Sequence, residues 1–201
     1  VIALIAEFLF PGRSALVAMA AAPLRPPPLG IGARFRICAR KRPVWERELA
    51  DGEFDSLTVN PATRQCVVHD ARLDRGHATF TYHREYALDE LFDASATNDD
   101  VYERAARPLL ARALGEGLHG TLVLFGQTGT GKTHTCFGVQ QRLARDVFAG
   151  LSGPGDEVAL ECFELRGTRV CDLLAERRPV KVLQDAGGTV RVAGARRVVA
   201  R

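Results

Sequence analysis

The clearest chemistry in this chain lies in eight consecutive residues, Gly126-Gln127-Thr128-Gly129-Thr130-Gly131-Lys132-Thr133. They fill the pattern GxxxxGK[ST]. Glycines at these positions let the backbone curl into a concave nest, so that several N–H groups converge on phosphate oxygens. A helix starting at the end of the loop aims its positive pole at the same anion. Lys132 is placed to neutralise charge on the β- and γ-phosphates, and the Thr133 hydroxyl to ligate Mg²⁺. The four fixed positions coincide by chance in roughly one chain in a hundred of this length, so a mere Gly/Thr-rich turn is the poorer reading. The motif specifies a nucleotide-binding P-loop. By itself it leaves open ATP or GTP, and motor, kinase or helicase.

Such a loop needs a strand before it and a helix after it. Residues 121–125 form a short run, apolar after Thr121, and predict a strand buried on both faces. Residues 132–148 predict an amphipathic helix with Cys136, Val139, Leu143 and Val147 on one side. Upstream, residues 34–40 alternate as a first strand, and residues 54–60 and 64–69 form a hairpin about Asn60-Pro61. Residues 70–85 read as an irregular loop carrying at most short strands. Thr97-Asn98-Asp99-Asp100 is a helix start, followed at helical spacing by Tyr102, Ala106, Leu109 and Ala113. Pro108 should kink that helix, and Gly115 and Gly117 should end it. After a loop at Ser152-Gly153-Pro154-Gly155, residues 158–165 predict another buried strand, and short strands continue to Arg201. Strand, turn, helix and strand in this order make an α/β domain.

Composition narrows the class. Hydrophobic residues at 46% and charged residues at 25% of 201 suit one globular domain with a sizeable core. A net charge of +3 makes no electrostatic case for nucleic acid. Of 27 basic residues only Lys41, Lys132 and Lys181 are lysines, so a lysine inside a motif is more informative than any one arginine. The five cysteines, Cys38, Cys66, Cys136, Cys162 and Cys171, have no CxxC spacing and read as reduced thiols of an intracellular protein. Residues 1–10 are apolar apart from Glu7, but too short for a membrane span and without a basic start. Met19-Ala20-Ala21-Ala22 is the expected natural start, and the Pro- and Gly-rich stretch after it an extended linker. The chain thus divides into a leader and linker over 1–33 and a domain over 34–201.

The residues around the loop resemble a known family. The run from Phe125 through His134 and Thr135 is similar to the kinesin signature FAYGQTGSGKTHTM, with Phe125 for its Tyr and Cys136 for its Met, and Gly138 falls where the family has glycine. Arg40-Lys41-Arg42-Pro43 resembles the kinesin RxRP segment. Asn98, Val101-Tyr102-Glu103 and Pro108-Leu109 resemble NxxVYxxxxxPL. Residues 164–174 resemble EIYNExVxDLL, with Arg166 for the usual Tyr. Val182-Leu183-Gln184-Asp185, Val190 and Gly194 continue the similarity, which runs from about Arg34 to Arg201.

The resemblance implies a kinesin-type P-loop NTPase with a mixed central sheet flanked by helices, binding ATP with Mg²⁺ and partnered by microtubules in the cytoskeleton. It implies that Arg40, Pro43 and His134 hold the adenine, where a guanidinium plane, a flat ring and an imidazole can stack on a purine. The Arg40–Pro43 and Val182–Asp185 segments look most like the internal-motor, microtubule-depolymerising kinesins, as does the length of residues 69–89. Asp74-Arg75-Gly76 stands where those kinesins carry Lys-Val-Asp.

Two later kinesin motifs that sense the γ-phosphate, NxxSSRSH and DxxGxE, do not occur in these 201 residues. The chain is therefore expected to be the truncated nucleotide-binding part of a motor, to cradle ATP without turning it over at a motor's rate, and to be poorly soluble or partly ordered alone. The alternative is a kinesin relative that binds microtubules or partner proteins without hydrolysis. The basic residues Arg177, Arg178, Lys181, Arg191, Arg196 and Arg197 suit either an attraction to acidic tubulin or a solvated charged surface.

Overall fold

A computed structural model describes residues 36–73, 79–116, 120–151, 153, 155–188 and 190–200. The expected leader and linker, the start of the first strand, and Asp74-Arg75-Gly76 lie outside the described residues. The chain forms two compact units that divide after Gly150.

The first unit opens with β1 (Cys38–Arg40) and the short helix α1 (Glu46–Ala50). It continues through β2 (Leu57–Asn60), β3 (Gln65–Leu73), β4 (Thr79–Ala87) and β5 (Glu90–Phe92). β1 and β5 pair in parallel, with Ala39 opposite Leu91. The triplet β5 is too short to show a period, so its strand character was hidden in the sequence. It is wholly buried, and Leu91 and Phe92 form the floor of the core.

The hairpin at Asn60-Pro61 forms as expected. The Asn60 side-chain oxygen accepts from the backbone N–H groups of Ala62 (3.1 Å) and Thr63 (3.3 Å), and Arg64 takes a left-handed φ of 58°. Residues 70–85 are not the irregular loop expected. β3 runs on to Leu73 and pairs with β4 in register from Gln65–Ala87 to Leu73–Thr79. β4 is exposed along its whole length, so neither face shows the polar-to-apolar contrast by which strands are recognised in a sequence.

Thr97 caps the next helix, accepting from the Asp100 N–H at 3.2 Å. The helix runs as α2 (Asn98–Val101), a π-helical turn (Tyr102–Ala106) and α3 (Arg107–Glu116). The irregularity expected of Pro108 is this wide turn, set just ahead of the proline. Pro108 has no N–H to give the Arg104 carbonyl one turn back. Arg36 Nη1 donates to that carbonyl instead, at 2.5 Å. The wide turn also shifts the helix's phase. Tyr102, Ala106, Leu110 and Ala113 are buried, and Leu109, expected on the core face, is half-buried.

The long helix α4 (Lys132–Ala149) packs on this segment through Val139, Leu143 and Val147, with Thr135 and Gly138 also buried. Tyr102, wholly buried, donates its hydroxyl to Asp146 on α4 at 2.7 Å. Asp146 also faces Arg145 at 3.0 Å and Arg107 at 3.8 Å.

Residues 121–125 are not the doubly buried strand expected. Thr121 makes one isolated bridge, and residues 122–125 belong to no strand. The side chains alternate instead, with Val123 42% and Phe125 68% exposed.

The second unit contains β6 (Val158–Leu160), β7 (Phe163–Arg166), β8 (Arg169–Asp172), β9 (Arg178–Gln184), β10 (Val190–Ala193) and β11 (Val198–Ala200). β7 to β10 form an antiparallel meander, and β11 pairs with β6. The single buried strand expected over 158–165 is therefore two strands of different ladders, broken at Glu161-Cys162 and largely exposed. The buried carboxylate of Asp172 ties the unit together, accepting from the N–H groups of Arg196 (2.6 Å) and Leu174 (2.8 Å). Those bonds, Arg196's first, hold its carboxyl below the usual range. Half of the basic cluster is engaged within this unit: Arg177 pairs with Glu164 at 2.7 Å, and Arg178 and Arg196 donate to the Gly194 and Leu174 carbonyls.

Two outcomes follow. Tyr102→Phe should cost about 1–2 kcal/mol in chemical unfolding, because Asp146 keeps only its arginines. Asp172 has a depressed folded pKa, so its stabilisation is present above the unfolded carboxylate value of about 4 and is lost as pH falls. The stability gap between the parent and Asp172→Asn should therefore be wide at pH 7 and shrink below about pH 4 in urea titrations.

Candidate phosphate-binding loop

The loop's backbone has the shape its glycines permit. Gly129 (φ 85°) and Gly131 (φ 89°) lie in the left-handed region, where a side chain would be strained. Gly131 is the N-cap of α4 and supplies no side-chain cap. Thr135 is the first residue of α4 to donate back into the helix, to the Gly131 carbonyl at 3.1 Å. Helix geometry thus leaves the N–H groups of Lys132, Thr133 and His134 without an intrahelical acceptor, at the helix's positive end. Free N–H groups at a helix's positive end have the chemistry that suits an anion such as a phosphate.

The Gln127 carbonyl is the hub of the loop. It accepts from Thr130 N–H at 3.3 Å, Thr130 Oγ1 at 2.8 Å and the Lys132 ammonium. The lysine is thereby held across the loop that it must serve. The Thr133 side chain is exposed one residue further on, free to offer its hydroxyl to a cation. Gln127, Thr128 and Gly129 form the exposed rim.

Arg40 at the end of β1 links this loop to the rest of the unit. Its Nη1 donates to Asn98 Oδ1 (2.6 Å) and Thr135 Oγ1 (3.0 Å), and its Nη2 to the Ala96 carbonyl (2.7 Å). One guanidinium therefore joins β1, the start of α2 and the first turn of α4. Burial lowers its pKa from the ordinary arginine value, with Asp100 opposing. Asn98 reaches α4 as well, donating Nδ2 to the His134 carbonyl at 3.3 Å.

That reach explains a glycine. A Cβ at Gly138 would lie 2.1 Å from Asn98 Nδ2 and 2.4 Å from its Cγ. Arg142, one turn on, grips both sides of the junction, pairing with Asp99 and donating to the Gly138 carbonyl at 2.9 Å.

Of the residues assigned to the base, Arg40 is half-buried, whereas Pro43 and His134 are exposed, on the exit of β1 and the first turn of α4. Three positioning residues were not singled out from sequence. In the sequence, Asn98 marks a helix start and a family-motif position, and Thr135 and Arg42 stand only as motif letters. Arg42 runs beside the loop, its Cδ 3.8 Å from where a Gly131 Cβ would stand. Glu48 fixes its guanidinium at 2.6 Å, and Trp45 stacks under it at 5.0 Å. A polar residue three before a helix's first buried position is the signal that could have found Asn98.

The kinesin motor domain family profile matches residues 40–201. This chain belongs to the kinesin motor domain family. It is 33% identical over 180 residues to the diatom spindle kinesin-1 of Cylindrotheca fusiformis, an alignment covering 87% of this chain and 28% of that kinesin. The kinesin fold expected from the P-loop and its flanking motifs is thereby established, in an α/β chain whose described strands pair both in parallel and antiparallel. The internal-motor subtype is not distinguished by these matches. Among the described residues, no helix is long and apolar enough to cross a membrane.

Gly138→Ala should displace Asn98 and cost about 1–3 kcal/mol, as overpacking does. In a double-mutant cycle, adding Asn98→Ala to Gly138→Ala should cost less than Asn98→Ala alone, because the contact is already broken. Strict additivity in urea melts would mean that the two residues do not share this contact.

Proposed function

We propose that this part of the kinesin binds ATP with Mg²⁺ and belongs to a motor that couples ATP hydrolysis to work on microtubules. The observation that carries the reading is the left-handed glycine loop on the N-terminus of an 18-residue helix, with Lys132 tethered across it. Gly126 to Gly131 would wrap the phosphates, and Lys132 would leave the Gln127 carbonyl for phosphate oxygens. Thr133 would offer its hydroxyl to Mg²⁺, which supplies charge neutralisation on the β- and γ-oxygens when bound. Arg40, Pro43 and His134 would border the adenine, with Arg40 keyed to the loop through Asn98 and Thr135. The microtubule partner and a cytoskeletal location follow from the family.

A finer reading assigns the motor to the internal, depolymerising kinesins. Its support is the long β3–β4 ribbon, where that subtype has an extended loop, together with the sequence Arg40-Lys41-Arg42-Pro43. Shortening of stabilised microtubules by the longer protein, without gliding, is the result that this reading requires.

Titration with a fluorescent ATP analogue should show Mg²⁺-dependent binding that Lys132→Ala weakens at least about tenfold, the loss of one charge-assisted contact. ATP should compete better than GTP, and His134→Ala should narrow that preference. Equal binding by the parent and Lys132→Ala would remove the nucleotide reading. Nucleotide binding with no ATP-sensitive microtubule cosedimentation in the longer protein would instead favour a non-motor relative.

A further inference from the structure

The three-stranded sheet β2–β3–β4 carries two of the chain's five histidines on one face, and neither belongs to the nucleotide site. His69 on β3 and His83 on β4 are directly opposed in register. Their rings meet edge to face, with centroids 4.9 Å apart, and their Nδ1 atoms are 2.8 Å apart. Two nitrogens this close share a single proton, one donating and the other presenting its lone pair. The other ring nitrogen of His69, Nε2, is 2.8 Å from Thr58 Oγ1 on β2. The three side chains thus form a line across all three strands.

From this arrangement we infer that His69 and His83 form a chelating site for a divalent transition-metal ion of square-planar preference, with Cu²⁺ the fitting member. Imidazole nitrogens bind such ions at about 2.0 Å. Two cis ligands of a square plane then stand about 2.8 Å apart, whereas two tetrahedral ligands stand about 3.3 Å apart. The observed 2.8 Å separation is the square-planar value. Binding requires each ring to turn so that its Nδ1 lone pair faces the ion in place of the other ring. As the ion enters, the shared proton passes through solvent to the Nε2 of the ring that carried it, so both imidazoles stay neutral. Thr58 then plays the part of an outer partner. With both Nδ1 atoms on the ion, His69 carries its proton on Nε2 and donates it to Thr58 Oγ1, which fixes tautomer and ring orientation. A hydroxyl can accept or donate, so Thr58 serves the metal-free and the metal-bound states alike.

The surroundings favour a cation. Asp55 is close enough to His69 for the two to interact electrostatically. Glu85, two residues from His83, projects from the same face of β4 by register. Among the described residues no group of three or more His, Cys, Asp or Glu is gathered for a metal, so the two imidazoles would be the protein's main contribution to the site. An ion here would cross-link β3 to β4, and through Thr58 would brace β2.

Titration of the 201-residue chain with Cu²⁺ at pH 7.5, followed by calorimetry and electron paramagnetic resonance, tests this. One equivalent should bind with a two-nitrogen signature and raise the unfolding midpoint. His69→Asn or His83→Asn should each weaken binding at least tenfold, and Thr58→Val should weaken it severalfold. Far-ultraviolet circular dichroism establishes that the variants keep their strands. Should one fail to fold, the parent's own spectrum decides. An oxygen-only or one-nitrogen signature, or affinity unchanged in both histidine variants, overturns the site.

Discussion

The first unit depends on where the Arg40 guanidinium is satisfied. A half-buried arginine needs most of its donors matched, and here the acceptors come from three separate pieces of chain: Ala96 before a helix, Asn98 in its first turn, and Thr135 in the first turn of another. None of these is near Arg40 in sequence. Their convergence sets the distance between β1 and α4, and so the place of the loop that opens α4. Asn98 extends the same network to the backbone of His134, and the missing side chain of Gly138 makes room for it. A loop of glycines has little stiffness of its own. Its position is borrowed from this polar junction.

A second polar junction lies at the other end of the same segment. Glu90 on β5 receives Arg36 at 3.1 Å and also pairs with Arg104, whose guanidinium lies 4.7 Å from the centre of the Phe92 ring. Arg36 simultaneously satisfies the carbonyl that Pro108 leaves without a donor. The defect in the helix thus becomes an attachment point for the chain just before β1. Cys38, half-buried beside these charges, has its thiol pushed up to about 11, chiefly by desolvation, and stays protonated at neutral pH.

What was legible in the sequence was whatever depends on local rules. The P-loop is contiguous, so its geometry follows from glycine positions and the helix start. Val139, Leu143 and Val147 were readable because their period is local too. The hairpin at Asn60-Pro61 announced itself through turn chemistry. The failures share a cause in long-range pairing. Residues 121–125 look buried because they are apolar, but burial requires neighbouring strands that no described residue supplies. Residues 158–165 look like one strand, yet their two halves pair with different partners, the distant β11 and the adjacent β8. The β4 strand was missed for the converse reason, being held by backbone bonds to β3 while burying little. In the site, glycines and the lysine were legible. Asn98, Thr135 and Arg42 were not, because their roles come from what the fold brings to them.

The triple acceptance at the Gln127 carbonyl bears on recognition by entropy. Fixing a loop's backbone on binding costs about 1–2 kcal/mol per residue, and a slack loop of this length would forfeit much of its contact energy that way. Here Thr130 and Lys132 already hold the curl. Most of the ordering is settled when the protein folds, and an arriving anion has only to exchange one lysine hydrogen bond for stronger, charge-assisted ones. The loop is therefore closer to a preformed mould than to a flap that must find its shape around the ligand.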